Sequence, residues 1–144
     1  MSTLSKGHFA AKHPPGTEVS TDLQQAVGKN LVDGGISCHN AHGIAETLKV
    51  APHEVGVAID LAEGRILKCQ LGLFGYGKGQ KMVKAAKSIM PPLRNAIETA
   101  LENDQLSCSA AWRIAEEQAT PRLSVANACE MLGVQIKPCQ LGAF

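Results

Sequence analysis

Residues 37–61 read SCHNAHGIAETLKVAPHEVGVAIDL, and residues 107–131 read SCSAAWRIAEEQATPRLSVANACEM. The two stretches belong to longer segments, 23–74 and 93–144, which align without a gap from Leu23 and Leu93 onward. Seventeen of these 52 aligned positions are identical, and both segments end in the motif Cys-Gln-Leu-Gly-x-Phe. Self-similarity at a fixed period is the signature of an internal duplication. The chain is therefore predicted to contain two copies of one structural unit.

Each copy shows three helical patterns in succession. Apolar residues recur at the spacing of one helix face, and Ser37 and Ser107 are suited to cap the second helix of each copy. Pro52 stands where the third helix of copy one would begin. In copy two, Thr120 and Pro121 predict a cap followed by the first helical residue, and Gly133 predicts the end of that helix.

A partly alternating stretch after the third helix is compatible with a short strand, at 65–71 in copy one and 135–141 in copy two. A single strand leaves its backbone groups unpaired. We therefore expect the two strands to pair with each other. The predicted fold class is mainly α (α+β), with three helices plus a short strand in each copy.

The chain is predicted to divide into four segments. Residues 1–18 contain few apolar groups and are expected to form a mobile tail. Residues 19–74 form copy one and residues 91–144 form copy two. Residues 75–90 join them, and the spacing of Met82, Val83, Ala86 and Ile89 predicts a basic helical connector.

Composition excludes several classes of protein. The 144 residues carry a net charge of +1, and no apolar run approaches the roughly 18 residues of a membrane span. The N-terminus has no secretion pattern, so five cysteines predict reduced thiols in the cytoplasm. No phosphate-binding glycine loop, metalloprotease histidine pair or nucleophile elbow occurs, so we expect neither an enzyme nor a bound cofactor.

The buried positions of the second and third helical patterns carry a resemblance to a known superfamily. In copy one, small and branched residues stand at the buried positions of these helices: Ile44, Ala45, Leu48, Val50, Val55 and Ala58. Copy two has the same residues at four of these positions: Ile114, Ala115, Val125 and Ala128. Each copy resembles a helix-turn-helix of the winged-helix type. At the turn, where that superfamily commonly has glycine, the copies have Lys49 and Ala119.

The resemblance implies a DNA-binding transcriptional regulator whose third helix reads bases in the major groove. The third helix of copy two offers Arg122 and Asn127 for base contacts, with Ser124 beside them. Phosphates would be bound by the lysines of the connector, which are Lys78, Lys81, Lys84 and Lys87. A homodimer is expected, since one chain offers little basic surface.

A protein-interaction or assembly module is the first alternative. The third helix of copy one carries Glu54 and Asp60 on the face that would meet DNA, and it has no fixed positive charge there. The near-neutral net charge also favours a protein partner over DNA.

Thiol chemistry is the second alternative. Cys38 and Cys69 recur as Cys108 and Cys139, so the two pairs have the same spacing. These four thiols are candidates for a metal site or for redox sensing.

Cysteine is also a common small core residue. Cys38 and Cys108 fall on buried helical stripes, which favours packing over metal binding. Cys129 aligns with Ile59 of copy one and is predicted to lie in the core. No metal site is therefore assigned.

Overall fold

A computed structural model describes residues 9–77 and 81–144. Within these ranges the chain is mainly helical, with six α-helices and four short strands. Copy one contains α1 (Thr21–Asn30), β1 (Gly35–Ser37), α2 (Cys38–Leu48), α3 (Pro52–Leu61) and β2 (Arg65–Leu67). Copy two contains α4 (Pro91–Ala100), β3 (Gln105–Leu106), α5 (Cys108–Glu117), α6 (Arg122–Leu132) and β4 (Gln135–Ile136). Each element of copy two begins at the position equivalent to the start of its counterpart, so the duplication seen in the sequence is also present in the element order.

The predicted helix boundaries are confirmed at most positions. The hydroxyl of Ser37 accepts a hydrogen bond from the backbone N–H of Asn40 at 3.0 Å, and Ser107 caps α5 in the same way. Pro52 is the first residue of α3, and Gly133 ends α6 with φ +71°. The predicted start of α6 is wrong by one residue, because Pro121 is the cap and the helix begins at Arg122.

The strands pair within each copy, and the expected pairing between copies is wrong. β1 runs parallel to β2, with Ile36 opposite Ile66, and β3 runs parallel to β4, with Leu106 opposite Ile136. β1 and β3 were not predicted from the sequence, because they are too short to show an alternating pattern. β1 and β3 each form hydrogen bonds with the backbone of the strand that follows the third helix of the same copy.

The chain divides into two compact units, and their boundaries differ from those of the copies. Of the described residues, unit 1 comprises 9–68 together with 141–143, and unit 2 comprises 69–77 and 81–140 together with 144. The buried residues of unit 1 include Leu23, Val27, Ile36, Ala41, Ile44, Val55, Ile59 and Leu141. Those of unit 2 include Leu71, Val83, Ile97, Leu106, Ala111, Ile114, Val125 and Cys129. The end of copy one thus belongs to unit 2, and 141–143 of copy two belong to unit 1.

Residues 9–13 of the predicted mobile tail contain a short helix and contact copy one. Phe9–Lys12 form a short 3-10 helix that packs on α3. The backbone N–H groups of Phe9 and Ala10 donate to the carboxylate of Glu63 at 2.8 and 2.9 Å. Ser20 then caps α1 by accepting from Leu23 N–H. Residues 1–8 of the predicted tail lie outside the described residues.

The connector contains no helix from 81 to 90, so the predicted helix is wrong there. The backbone N–H of Met82 donates to the carbonyl of Gly72 at 2.7 Å, and the N–H of Ala86 donates to the carbonyl of Asn127 at 3.0 Å. Val83 is buried. The connector N–H groups of Met82 and Ala86 thus donate hydrogen bonds to other parts of unit 2. In a helix they would instead donate to carbonyl groups of the connector itself.

None of the helices in the described ranges is long and apolar enough to cross a membrane.

Candidate functional site

Arg122 lies at the start of α6 and is held by two contacts inside unit 2. Its guanidinium carbon lies 3.7 Å from the centroid of the Trp112 ring, which is a cation–π contact. Its Nη1 donates a hydrogen bond to Oε1 of Gln70 at 2.9 Å. The side chain that the sequence suggested for base contact is therefore half-buried and engaged with the protein itself.

Asn127 lies in the middle of α6 and is covered by the connector. Its Oδ1 accepts the backbone N–H of Lys84 at 2.9 Å, and its carbonyl accepts the N–H of Ala86. These two bonds fix the connector across α6. The side-chain amide oxygen, which a base contact would use, is therefore already bonded to the backbone N–H of Lys84. Ser124, one turn earlier, is half-buried.

The described connector lysines lie in different surroundings. Lys81 lies 3.7 Å from the carboxylate of Glu130 on α6. The side chains of Lys84 and Lys87 are exposed, and Lys78 lies outside the described residues. Of the predicted nucleic-acid residues that the structure describes, three thus have partners in the protein, two are exposed lysines, and Ser124 is half-buried.

The third helix of copy one is covered in the same way. Asp60 of α3 is only 6% exposed, and its carboxylate lies 3.1 Å from Lys12 Nζ and 2.9 Å from His13 Nε2. On another part of α3, a Cβ added to Gly56 would overlap the carbonyl of Leu141. The segment before copy one and the segment 141–143 therefore both lie against α3.

The connector, which lies across α6, and the segment before copy one, which lies against α3, make one contact that is related by the repeat. Asp60 and Glu130 occupy equivalent positions, and each is paired with a lysine from the segment that precedes its own copy. This relationship was not predicted, because 9–18 and 79–88 share no identical residue when they are aligned. The aligned acids at 60 and 130 were the signal in the sequence that could have indicated it.

A shallow groove lies between the first and second helices of each copy. The groove between α1 and α2 has a volume of about 330 Å³, and the groove between α4 and α5 about 430 Å³. Six lining positions of the two grooves are equivalent in the repeat: Ala26 and Ala96, Asn30 and Ala100, Gly43 and Arg113, Ile44 and Ile114, Thr47 and Glu117, Leu48 and Gln118. The same surface feature is therefore present twice.

The linings of the two grooves differ in charge. The first groove has no Asp, Glu, Lys or Arg among its lining residues, which are Ala26, Asn30, His39, Asn40, Gly43, Ile44, Thr47 and Leu48. The second contains Arg113 and Glu117, whose charged groups lie 4.0 Å apart. Small residues, such as Ala26 and Gly43, let a partner backbone approach the first groove closely.

The repeated cysteines are divided between the two units. Cys108, Cys139 and Cys69 belong to unit 2, whereas Cys38 belongs to unit 1. None of the five cysteines, all of which lie in the described ranges, forms a disulfide. Within those ranges, no group of three or more His, Cys, Asp or Glu side chains is arranged to hold a metal ion. Cys129 is 1% exposed, which confirms its predicted place in the core.

Burial also affects the acidity of two thiols. It raises the pKa of Cys129 to about 11, because the thiolate would lose its hydration. It raises the pKa of Cys108 as well, against the opposing effect of hydrogen bonds from Gln140. Both thiols therefore remain protonated at neutral pH.

Comparisons of this chain with protein-family models, with curated proteins and with solved structures found no match.

Proposed function

We propose that this chain is a protein-interaction module in which each copy binds one helical segment of a partner protein. The observation that carries the proposal is the presence of equivalent grooves between the first and second helices of both copies. The third helices, which would be the DNA-reading elements, are covered by the chain's own segments. The grooves are the repeated surface that remains available.

The lining of the grooves suits an amphipathic helix. Ala26, Ile44 and Leu48 supply an apolar floor in the first groove, while Asn30 and Thr47 supply polar groups at its rim. The second helix spans 11 residues, or about 16 Å, which matches a partner helix of three turns. Helices that bind in grooves place apolar anchors at positions i, i+3, i+4 and i+7.

The winged-helix-like nature of each copy remains part of the proposal. Its support is the succession of three helices, with a short strand before the second helix and another after the third. The turn between the second and third helices contains a left-handed residue in both copies, Lys49 and Ala119. Winged-helix domains serve several functions, so this likeness is compatible with a protein partner. Five thiols outside any disulfide also fit a reducing compartment such as the cytoplasm.

Peptide selection on the purified full chain tests the proposal. A displayed library of helical peptides, each about four turns long, is selected against the protein. The affinity of the selected peptides is then measured by fluorescence anisotropy. Gly43→Arg places in the first groove the residue that the second groove carries at Arg113. A Cβ at Gly43 meets nothing within 4 Å, so this variant should fold normally.

We expect Gly43→Arg to weaken binding of peptides selected for the first groove at least tenfold. Gly28→Arg is the matched control, because Gly28 is an exposed helical glycine with open space around it and lies outside the groove. The control should bind as the wild type does. Equal binding by Gly43→Arg and wild type, for every selected peptide, would contradict the proposal.

DNA recognition by the same protein is tested in parallel. A labelled pool of genomic fragments is titrated at low and at near-physiological salt with wild type and with the double variant Lys84→Glu, Lys87→Glu. These two lysines are exposed, whereas a change at Arg122 would also disturb packing on Trp112. Tight binding that falls steeply with salt and is lost in the double variant would favour the DNA-binding regulator over the protein-interaction module.

A further inference from the structure

The backbone of unit 2 brings two of the repeated cysteines together. The backbone N–H of Cys108 donates to the carbonyl of Pro138 at 3.0 Å, and Pro138 directly precedes Cys139. On the other side of Cys139, the side-chain amide of Gln140 donates to Sγ of Cys108 at 3.5 Å. Cys139 therefore lies between two residues that both contact Cys108.

This arrangement is close to the requirements of a disulfide. With standard bond lengths, a hydrogen bond from Cys108 N–H to the carbonyl before Cys139 leaves the two Cα atoms no more than about 7 Å apart. Disulfides join Cα atoms that are about 4.4–6.8 Å apart. The parallel pairing of β3 with β4 holds the two chain segments in this register. The backbone thus brings the two Cα atoms to about the separation that a disulfide spans.

The two thiols differ in their access to solvent. Cys108 is 5% exposed, whereas Cys139 is only partly buried. Cys139 is therefore the thiol that a small oxidant reaches first. Burial raises the pKa of Cys108, which disfavours its thiolate as the group that attacks the oxidant first.

We propose that Cys139 and Cys108 form a site of reversible oxidation by hydrogen peroxide. The thiolate of Cys139 attacks one peroxide oxygen, the O–O bond breaks, and Cys139 becomes a sulfenic acid while hydroxide leaves. The sulfur of Cys108 then attacks the sulfenic sulfur, an S–S bond forms, and the S–O bond breaks. The departing hydroxide takes the thiol proton of Cys108 and leaves as water.

This site is independent of the proposed grooves. The equivalent position to Cys108 in copy one is Cys38, which lies in unit 1, whereas Cys69, the equivalent of Cys139, lies in unit 2. Cys38, the position equivalent to Cys108, is the comparison thiol within the same chain.

Peptide mapping of the oxidised full chain tests the proposal. Reduced protein is treated with hydrogen peroxide, remaining thiols are alkylated, and proteolytic peptides are analysed by mass spectrometry without reduction. We expect a cross-link between the peptides that contain Cys108 and Cys139, a loss of two of the five titratable thiols, and recovery of both with dithiothreitol. Cys38 should remain a thiol throughout.

Two variants separate the steps of the reaction. Cys108→Ser should leave Cys139 as a sulfenic acid that dimedone traps, whereas Cys139→Ser should give neither adduct nor cross-link. Cys38→Ser should form the cross-link as the wild type does. A cross-link of Cys139 to Cys69, a cross-link only between chains, or an unchanged thiol count in the wild type would each overturn the proposal.

Discussion

The α-carbon of Gly56 faces the backbone carbonyl of Leu141 so closely that a methyl group at residue 56 would overlap the Leu141 oxygen. Gly56 lies in the middle of α3, where glycine is unfavourable for the helix by about 0.5–1 kcal/mol relative to alanine. The close approach explains why glycine is present at this position. Leu141 itself is 2% exposed, so the contact is part of the core of unit 1.

Gly56→Ala should therefore destabilise the protein. The added methyl meets backbone atoms, which cannot rotate away, and such overpacking typically costs about 1–3 kcal/mol. The change is measured as the free energy of unfolding in urea. Gly28→Ala is the control, because its Cβ meets nothing and it should stabilise α1 by about 0.5–1 kcal/mol. A stabilising effect at Gly56 would show that 141–143 do not pack on α3.

Arg122→Ala should lower the free energy of unfolding by about 1–3 kcal/mol, because it removes the contact with Trp112 and the hydrogen bond to Gln70. Arg122→Lys should recover only part of the loss, since an ammonium group lacks the planar stacking surface. Trp112 is the only tryptophan, so its fluorescence reports the unfolding of its surroundings directly.

Arg113→Ala is the matched control for this prediction. Arg113 lies on α5, is well exposed, and has its charged group 4.0 Å from that of Glu117. Its loss should change stability by less than about 0.5 kcal/mol. Equal effects at the two arginines would mean that Arg122 does not stabilise unit 2.

Ala119→Gly should stabilise the protein. Ala119 has φ +52°, a left-handed conformation that places the Cβ of an L-residue close to the backbone. Glycine adopts this conformation without that clash, and a gain of about 0.5–1 kcal/mol is expected in thermal or urea unfolding. Ala96→Gly, within α4, should have the opposite sign because glycine lowers helix stability by about 1 kcal/mol.

The stability of the protein should fall as the pH rises from about 9 to about 11. Burial raises the pKa of Cys129 from 9.0 to about 11, so the unfolded chain loses this proton at lower pH than the folded chain does. The stabilising contribution is fully present below pH 9 and is lost as the pH approaches 11. Cys129→Val should show a smaller loss over this range in parallel urea titrations. An identical pH dependence for the two proteins would contradict the assignment.

Local signals in the sequence were sufficient for most of the secondary structure. The residues that begin or end the helices act on backbone groups within a few residues of themselves; they include Ser37, Ser107, Pro52 and Gly133. Their effects can therefore be predicted without knowledge of the fold. The repeat likewise follows from the order of residues alone. Together, the local signals and the repeat predicted two copies with three helices each, and the structure contains two copies with these helices.

The candidate site depended on contacts between residues far apart in the chain. Arg122 and Asn127 have the side chains of a base-reading helix, but their partners Gln70 and Lys84 are 52 and 43 residues away. The connector has the apolar spacing of a helix, yet its N–H groups bond to Gly72 and Asn127. Sequence therefore determined the repeat, the helices and their caps, because these arise from local hydrogen bonding and periodicity. Tertiary structure alone decided which helix faces are covered, because the backbone groups of a segment without internal hydrogen bonds are paired with residues far away in the chain.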